Sequence, residues 1–230
     1  MKPKPIGVIG GAGPSAGAFF LERLFSLART RYGCHRDADF PEVFLISFPF
    51  SEMLDSRQNF ATLQGELRDC LKQLRQNGAG IMAIACNTLH AFLGPREESR
   101  GLVHLPRVLG ENLSQRDEAP LVLCTSTSAQ LGLHQRFFPC VYPNSSIQTE
   151  VDEIIDQILK GGPSPSIKKR LKALINRQAA NTVILGCTEL SLFAAQLSLA
   201  NKSIVDPLEI LAGEVLKTSF KGDNNERNII

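Results

Sequence analysis

The chain has 230 residues, 43% of them hydrophobic and 21% charged, with a formal net charge of +2. That length buries a sizeable core, as one large α/β domain or two of roughly 100 residues. So small a charge argues against a nucleic-acid partner or a membrane surface, and two Tyr with no Trp leave few stacking platforms for bases.

The N-terminus, Met1-Lys2-Pro3-Lys4-Pro5, is a poor signal peptide, and no run approaches the roughly 18 apolar residues of a membrane helix. Six cysteines without a C-x-x-C pair predict reduced thiols in the cytoplasm and no structural zinc.

The pattern predicts a strand over 5–9, a Gly-rich turn over 10–14 and a helix over 15–31 with Phe19, Phe20, Leu24, Leu27 and Ala28 on one face. A second strand covers 43–47. A helix over 57–77 has one apolar stripe of Phe60, Leu63, Leu67, Leu71 and Leu74, and Gly78-Ala79-Gly80 stops it. An apolar run over 81–85 then ends at Cys86.

The order repeats with a strand over 121–124, a turn of small residues over 125–128 and a helix over 129–138. A helix over 147–160 turns Val151, Ile154, Ile155 and Ile158 inward; another covers 165–179. The run over 183–186 leads to Cys187. A short strand at 204–205 precedes Asp206, an N-cap, and Pro207 at the first helical position of a last helix reaching about 220.

Alternating strands and helices imply parallel sheets. The expected architecture is α/β: two similar doubly wound parallel-sheet lobes with the active site in the cleft between them. The first lobe would span 1–108, with 207–230 packing back on it, and the second 109–206, with the boundary near 105–121.

Ligands of open α/β sheets gather at the carboxyl ends of the strands. The Gly-rich turn, Gly11-Ala12-Gly13, fails the dinucleotide fingerprint because Ala16 stands where the third Gly belongs and the second strand lacks a terminal acid. What survives is a turn offering backbone N–H groups, Ala12 among them, to an anion such as a carboxylate.

Cys86 and Cys187 each end an apolar strand, beside Asn87 and Thr88 in one case and Thr188 and Glu189 in the other. A buried cysteine is often only a small hydrophobe, a reading that suits Cys70 and Cys124. At a helix N-terminus, however, a thiol's pKa falls. A nucleophile would want a histidine, and His90 is available to Cys86 but has no counterpart after Cys187. A redox pair would need the sulfurs within bonding distance. Proton transfer to and from opposite faces of one carbon would use one thiolate and one thiol.

The segments Gly7-Val-Ile-Gly-Gly-Ala-Gly-Pro14, Ala85-Cys-Asn-Thr-Leu-His90, Ile184-Leu-Gly-Cys-Thr-Glu-Leu190 and Asp206-Pro-Leu-Glu-Ile-Leu-Ala212 resemble the cofactor-independent aspartate/glutamate racemase superfamily, in its aspartate racemase branch. The resemblance implies a homodimer acting on a small amino acid without pyridoxal phosphate or metal. It makes Cys86 and Cys187 the catalytic bases, with Asn87, Thr88 and Thr188 holding the carboxylate and ammonium groups. The second-lobe turn keeps Thr125, Ser128 and Gly132 in place, and Ser128 joins the substrate-binding set. Lys160 matches a family lysine that pairs with a substrate carboxylate, although a lysine at a helix C-terminus also suits the helix dipole.

Glu189 follows the aspartate rather than the glutamate racemase pattern and would assist Cys187 as a proton acceptor. The family's Pro-Asp-Arg-Thr segment is missing: the chain reads Ser47-Phe-Pro-Phe-Ser-Glu-Met-Leu-Asp-Ser-Arg57, with the nearest arginine, Arg57, displaced by about three positions. The sequence therefore predicts aspartate or broad specificity. The alternatives are a sister enzyme such as a hydantoin racemase or related isomerase, or an amino-acid-binding member without activity.

Overall fold

A computed structural model describes residues 3–51, 60–94, 101–114, 118–197 and 199–221. Its first sheet runs β2 (Val43–Ser47), β1 (Ile6–Gly10), β3 (Ile81–Ile84), β4 (Leu102–Val103), all parallel. The second runs β5 (Leu121–Val122), β6 (Thr182–Ile184), β7 (Ser203–Val205), also parallel. Val141 forms a single parallel bridge outside β5, where β2 lies beside β1. The two sheets thus share one order, and β3 and β6 hold equivalent interior places.

Helices α1 (Pro14–Tyr32) and α2 (Phe60–Gln76) cover the two faces of the first sheet. Residues 57–59, where the sequence predicted the start of α2, lie outside the described residues. Around the second sheet, α5 (Ser145–Gly161) and α6 (Pro165–Asn176) bury Val151, Ile154, Leu171 and Leu174 against Leu123 and Val183. Each such buried aliphatic side chain contributes about 1.5–3 kcal/mol.

The segment expected to hold the boundary, 105–121, begins with α3 (Leu105–Leu113). Leu105 joins the first lobe's core, whereas Leu109 and Leu113 pack with Val122, Cys124 and Ile184 of the second. The reciprocal crossing is made by α7 (Pro207–Phe220), whose Leu208, Leu211 and Val215 join Ile6, Val8 and Phe20. Glu209 accepts from Arg23 Nε of α1 at 2.8 Å, and Ser219 Oγ donates to the Lys4 carbonyl oxygen at 2.7 Å.

The helix expected over 129–138 is split into the short α4 (Ser126–Gln130) and a 3-10 turn at His134–Arg136. Among the described residues no helix is long and apolar enough to cross a membrane.

Candidate active site

Each of β3 and β6 delivers its cysteine to the same cavity. The Ala85 amide bonds the Ile9 carbonyl at 2.9 Å and the Cys187 amide bonds that of Leu123 at 3.0 Å, so both strands continue up to their thiols. Neither thiol opens the expected α-helix. Each leads into a 3-10 segment, the wholly buried Thr88–Phe92 in one lobe and Leu190–Gln196, buried at Leu190, Ser191 and Phe193, in the other.

The cavity holds about 210 Å³. Ala12, Cys86, Asn87, Thr88, Cys187, Thr188 and Glu189, all singled out in the sequence, line it together with Phe50, Ser51, Thr125, Thr127, Ile155 and Leu159. The motifs passed over Phe50, Ile155 and Leu159 because nothing distinguishes them from ordinary core residues in sequence. Ser128 sits behind the wall: it is fully buried and bonds Thr88 Oγ1 at 2.9 Å. Lys160 is not among the lining residues. Its ammonium lies on the surface, 76% exposed, and bonds Asp156 at 2.7 Å, its i−4 neighbour. Arg57 lies outside the described residues.

The thiols do not have the lowered pKa expected at a helix end. Burial pushes Cys86 up to about 12, with the Glu189 charge adding to it and the Leu89 and Thr88 amides opposing. Cys187 is also held well above the usual thiol range, first by burial and then by Glu189. A turn or two of 3-10 helix supplies a few N–H groups but not the dipole of a long helix, and desolvation wins.

Glu189 is the one carboxylate among the described lining residues. Cys187 Sγ donates to its Oε2 at 2.9 Å, and Thr188 Oγ1 lies 3.4 Å from the same oxygen. Burial raises its own pKa. The carboxylate reaches across to the first lobe's glycine turn, where a Cβ on Gly13 (φ +84°) would collide with Oε1. The anion that the sequence assigned to this turn thus has a neighbour of that kind already, from within the chain.

Thr88 makes the equivalent crossing in the other direction, to Thr125 and Ser128 of the second lobe. Three buried polar atoms of these lining residues have no partner among the described residues: Asn87 Oδ1, Asn87 Nδ2 and Glu189 Oε1. Leaving such atoms unpaired is costly, and a bound zwitterion would supply both donor and acceptor.

His90 does not serve the Cys86 thiol. The Leu105 amide donates to its Nε2 at 3.2 Å, so Nδ1 carries the hydrogen and donates to the Cys86 carbonyl oxygen at 2.8 Å. Burial, then neighbouring His104, holds its pKa down at about 3. The other cysteines, Cys34, Cys70, Cys124 and Cys140, are all buried. Among the described residues no three His, Cys, Asp or Glu side chains converge to hold a metal ion.

Residues 9–215 match the family model for Asp/Glu/hydantoin racemases. The broad specificity amino-acid racemase RacX of Bacillus subtilis (strain 168) is 20% identical over 194 residues, covering 81% of this chain and 86% of that protein. Among solved structures, Picrophilus torridus aspartate racemase superposes with a TM-score of 0.78 at 21% identity, covering 94% of both chains. Glutamate racemase from Thermus thermophilus, in complex with beta-chloro-D-alanine, gives 0.69 at 17% identity over 94% of this chain and 80% of that one. The structural likeness at these identities speaks for the fold.

Proposed function

The chain belongs to the Asp/Glu/hydantoin racemase family, and from that premise we propose that it racemises an amino acid by two-base proton transfer at Cα, with Cys86 and Cys187 as the bases. The observation that carries this reading is the delivery of one thiol from each sheet, at equivalent strand ends, to one cavity. Asn87, with its unpartnered amide, and the hydroxyls of Thr88 and Thr188 hold the α-carboxylate; Glu189 Oε1 receives the ammonium group.

Both thiols begin protonated, because burial raises both. Cys187 passes its proton to Glu189 Oε2, its partner at 2.9 Å. The thiolate then takes the Cα hydrogen from one face, leaving the bond pair on carbon. Cys86 returns its own proton to the opposite face and becomes the thiolate. Proton return from Glu189 to Cys86, through the emptied cavity, resets the site. The reverse reaction exchanges the roles.

Replacing either thiol tests this: Cys86→Ser and Cys187→Ser should each abolish racemisation followed by chiral chromatography, and full racemisation by either variant contradicts it. The homodimer that the resemblance implies is tested by light scattering. Six reduced thiols suit a cytoplasmic reaction.

A further inference from the structure

The floor of the cleft and its walls are chemically different. Asn87, Thr188 and Glu189 are almost wholly buried at the floor. Phe50, from the segment after β2, and Ile155 and Leu159, one turn apart on α5, form apolar walls. Leu159 is 48% exposed and marks the mouth.

No Lys, Arg or His side chain is among the described lining residues. Among the described residues, two carboxylates stand behind the lining. Glu66 accepts from the Ser51 amide at 3.1 Å and from its hydroxyl at 2.5 Å. Asp152 accepts from the amide and hydroxyl of Ser126, between Thr125 and Thr127. Lys160, on the same helix as Leu159, is turned to Asp156.

We propose that the side chain of the substrate carries no carboxylate and is an uncharged chain seated on Phe50, Ile155 and Leu159. This rests on the reading of the cleft as a racemase site. The α-carboxylate and ammonium, common to all amino acids, are met by Asn87 and Glu189. A second carboxylate would be desolvated between apolar walls, beside the Glu189 charge and without a counter-ion from the described residues. An amide or thioether of the same length avoids that penalty. The discrimination is therefore made at the far end of the side chain, by charge rather than by size.

The test is kcat/KM for the isosteric pairs asparagine/aspartate and glutamine/glutamate, with methionine and lysine alongside. The amide should exceed its acid by on the order of ten- to a hundredfold, methionine should be turned over, and lysine should fall below methionine. Leu159→Arg, which puts a guanidinium at the mouth, should narrow the gap. A preference for either acid over its amide, or for lysine over methionine, overturns the proposal.

If the wild-type protein turns over none of these, the racemase reading fails, and titration calorimetry of the same compounds still reads the side-chain preference. Tighter binding of the amides supports it; tighter binding of the acids, or no binding at all, overturns it.

Discussion

The Cys86 and Cys187 halves of the site are built on one plan and equipped differently. Each thiol ends an interior strand of a parallel sheet, and each is followed by a 3-10 segment. Two residues on, each side chain crosses to the opposite lobe's first turn. In the Cys86 half that residue is Thr88, bonded to Ser128; in the Cys187 half it is Glu189, against Gly13 and bonded to its own thiol. Four residues on, His90 braces one half while Ser191 stands in the other. The backbone therefore supplies near-symmetry, which a reaction on two faces of a carbon needs. The side chains break it, placing the carboxylate in direct hydrogen bond with Cys187.

The largest effect should come from the thiols. Cys86→Ser and Cys187→Ser should each lower kcat by on the order of 10³-fold or more, since a hydroxyl is a far poorer base than a thiolate. The crossing residues come next and should separate the halves. Glu189→Gln should lower kcat by about a hundredfold, and Thr88→Val by about tenfold, the loss of one hydrogen bond.

The pH profile sharpens this further. Thiols with raised pKa values stay protonated to high pH, so wild-type activity should climb from neutral toward alkaline pH. The Glu189 charge is one cause of both shifts, so Glu189→Gln should move that limb to lower pH while reducing the rate. A limb that stays in place would remove Glu189 from the scheme. Gly13→Ala should imitate Glu189→Gln in rate, because its Cβ would collide with Oε1, and should cost about 1–3 kcal/mol in a thermal melt for a strained left-handed residue.

The histidines belong to stability. His90, His104 and His134 are buried neutral, with pKa values held at about 3, 4 and 4, chiefly by burial. Each would titrate at its ordinary value in the unfolded chain. Their contribution is thus present above about pH 6.5 and is lost as pH falls toward 4 and then 3. Thermal melts should show a decline below pH 6.5, and His104→Phe should shift it to lower pH. The smallest effect is expected at Lys160: Lys160→Ala should leave kcat/KM within about twofold, as its exposed ion pair contributes little.

Much of this architecture was legible in the sequence. The stripe of Leu63, Leu67, Leu71 and Leu74 on α2 and the N-cap Asp206 with Pro207 were read correctly because helix period and capping are local signals, whereas Phe60, expected in the same stripe, is exposed at the helix start. Parallel pairing came from alternation. The two-residue strand β4 and helix α3 were missed, because a pair of hydrogen-bonded residues has no period and α3 divides its apolar positions between two cores. The thiols stood out as residues ending apolar runs, but their pKa direction was misjudged. Desolvation depends on what covers a residue, and a sequence does not show that. His90 was misread for a similar reason, since spacing put it near Cys86 but only the Leu105 amide fixes which way its ring nitrogens serve.

The central claim is that two thiols act on opposite faces of one carbon. It is tested most directly by racemising a single enantiomer of the best substrate in D₂O and reading Cα deuterium in both enantiomers at early conversion. The account predicts that the newly formed enantiomer carries deuterium while the remaining substrate stays unlabelled, because the base that removes the hydrogen is not the acid that replaces it. Deuterium entering the unreacted enantiomer as fast as the product forms would mean one base serves both faces, and would contradict it.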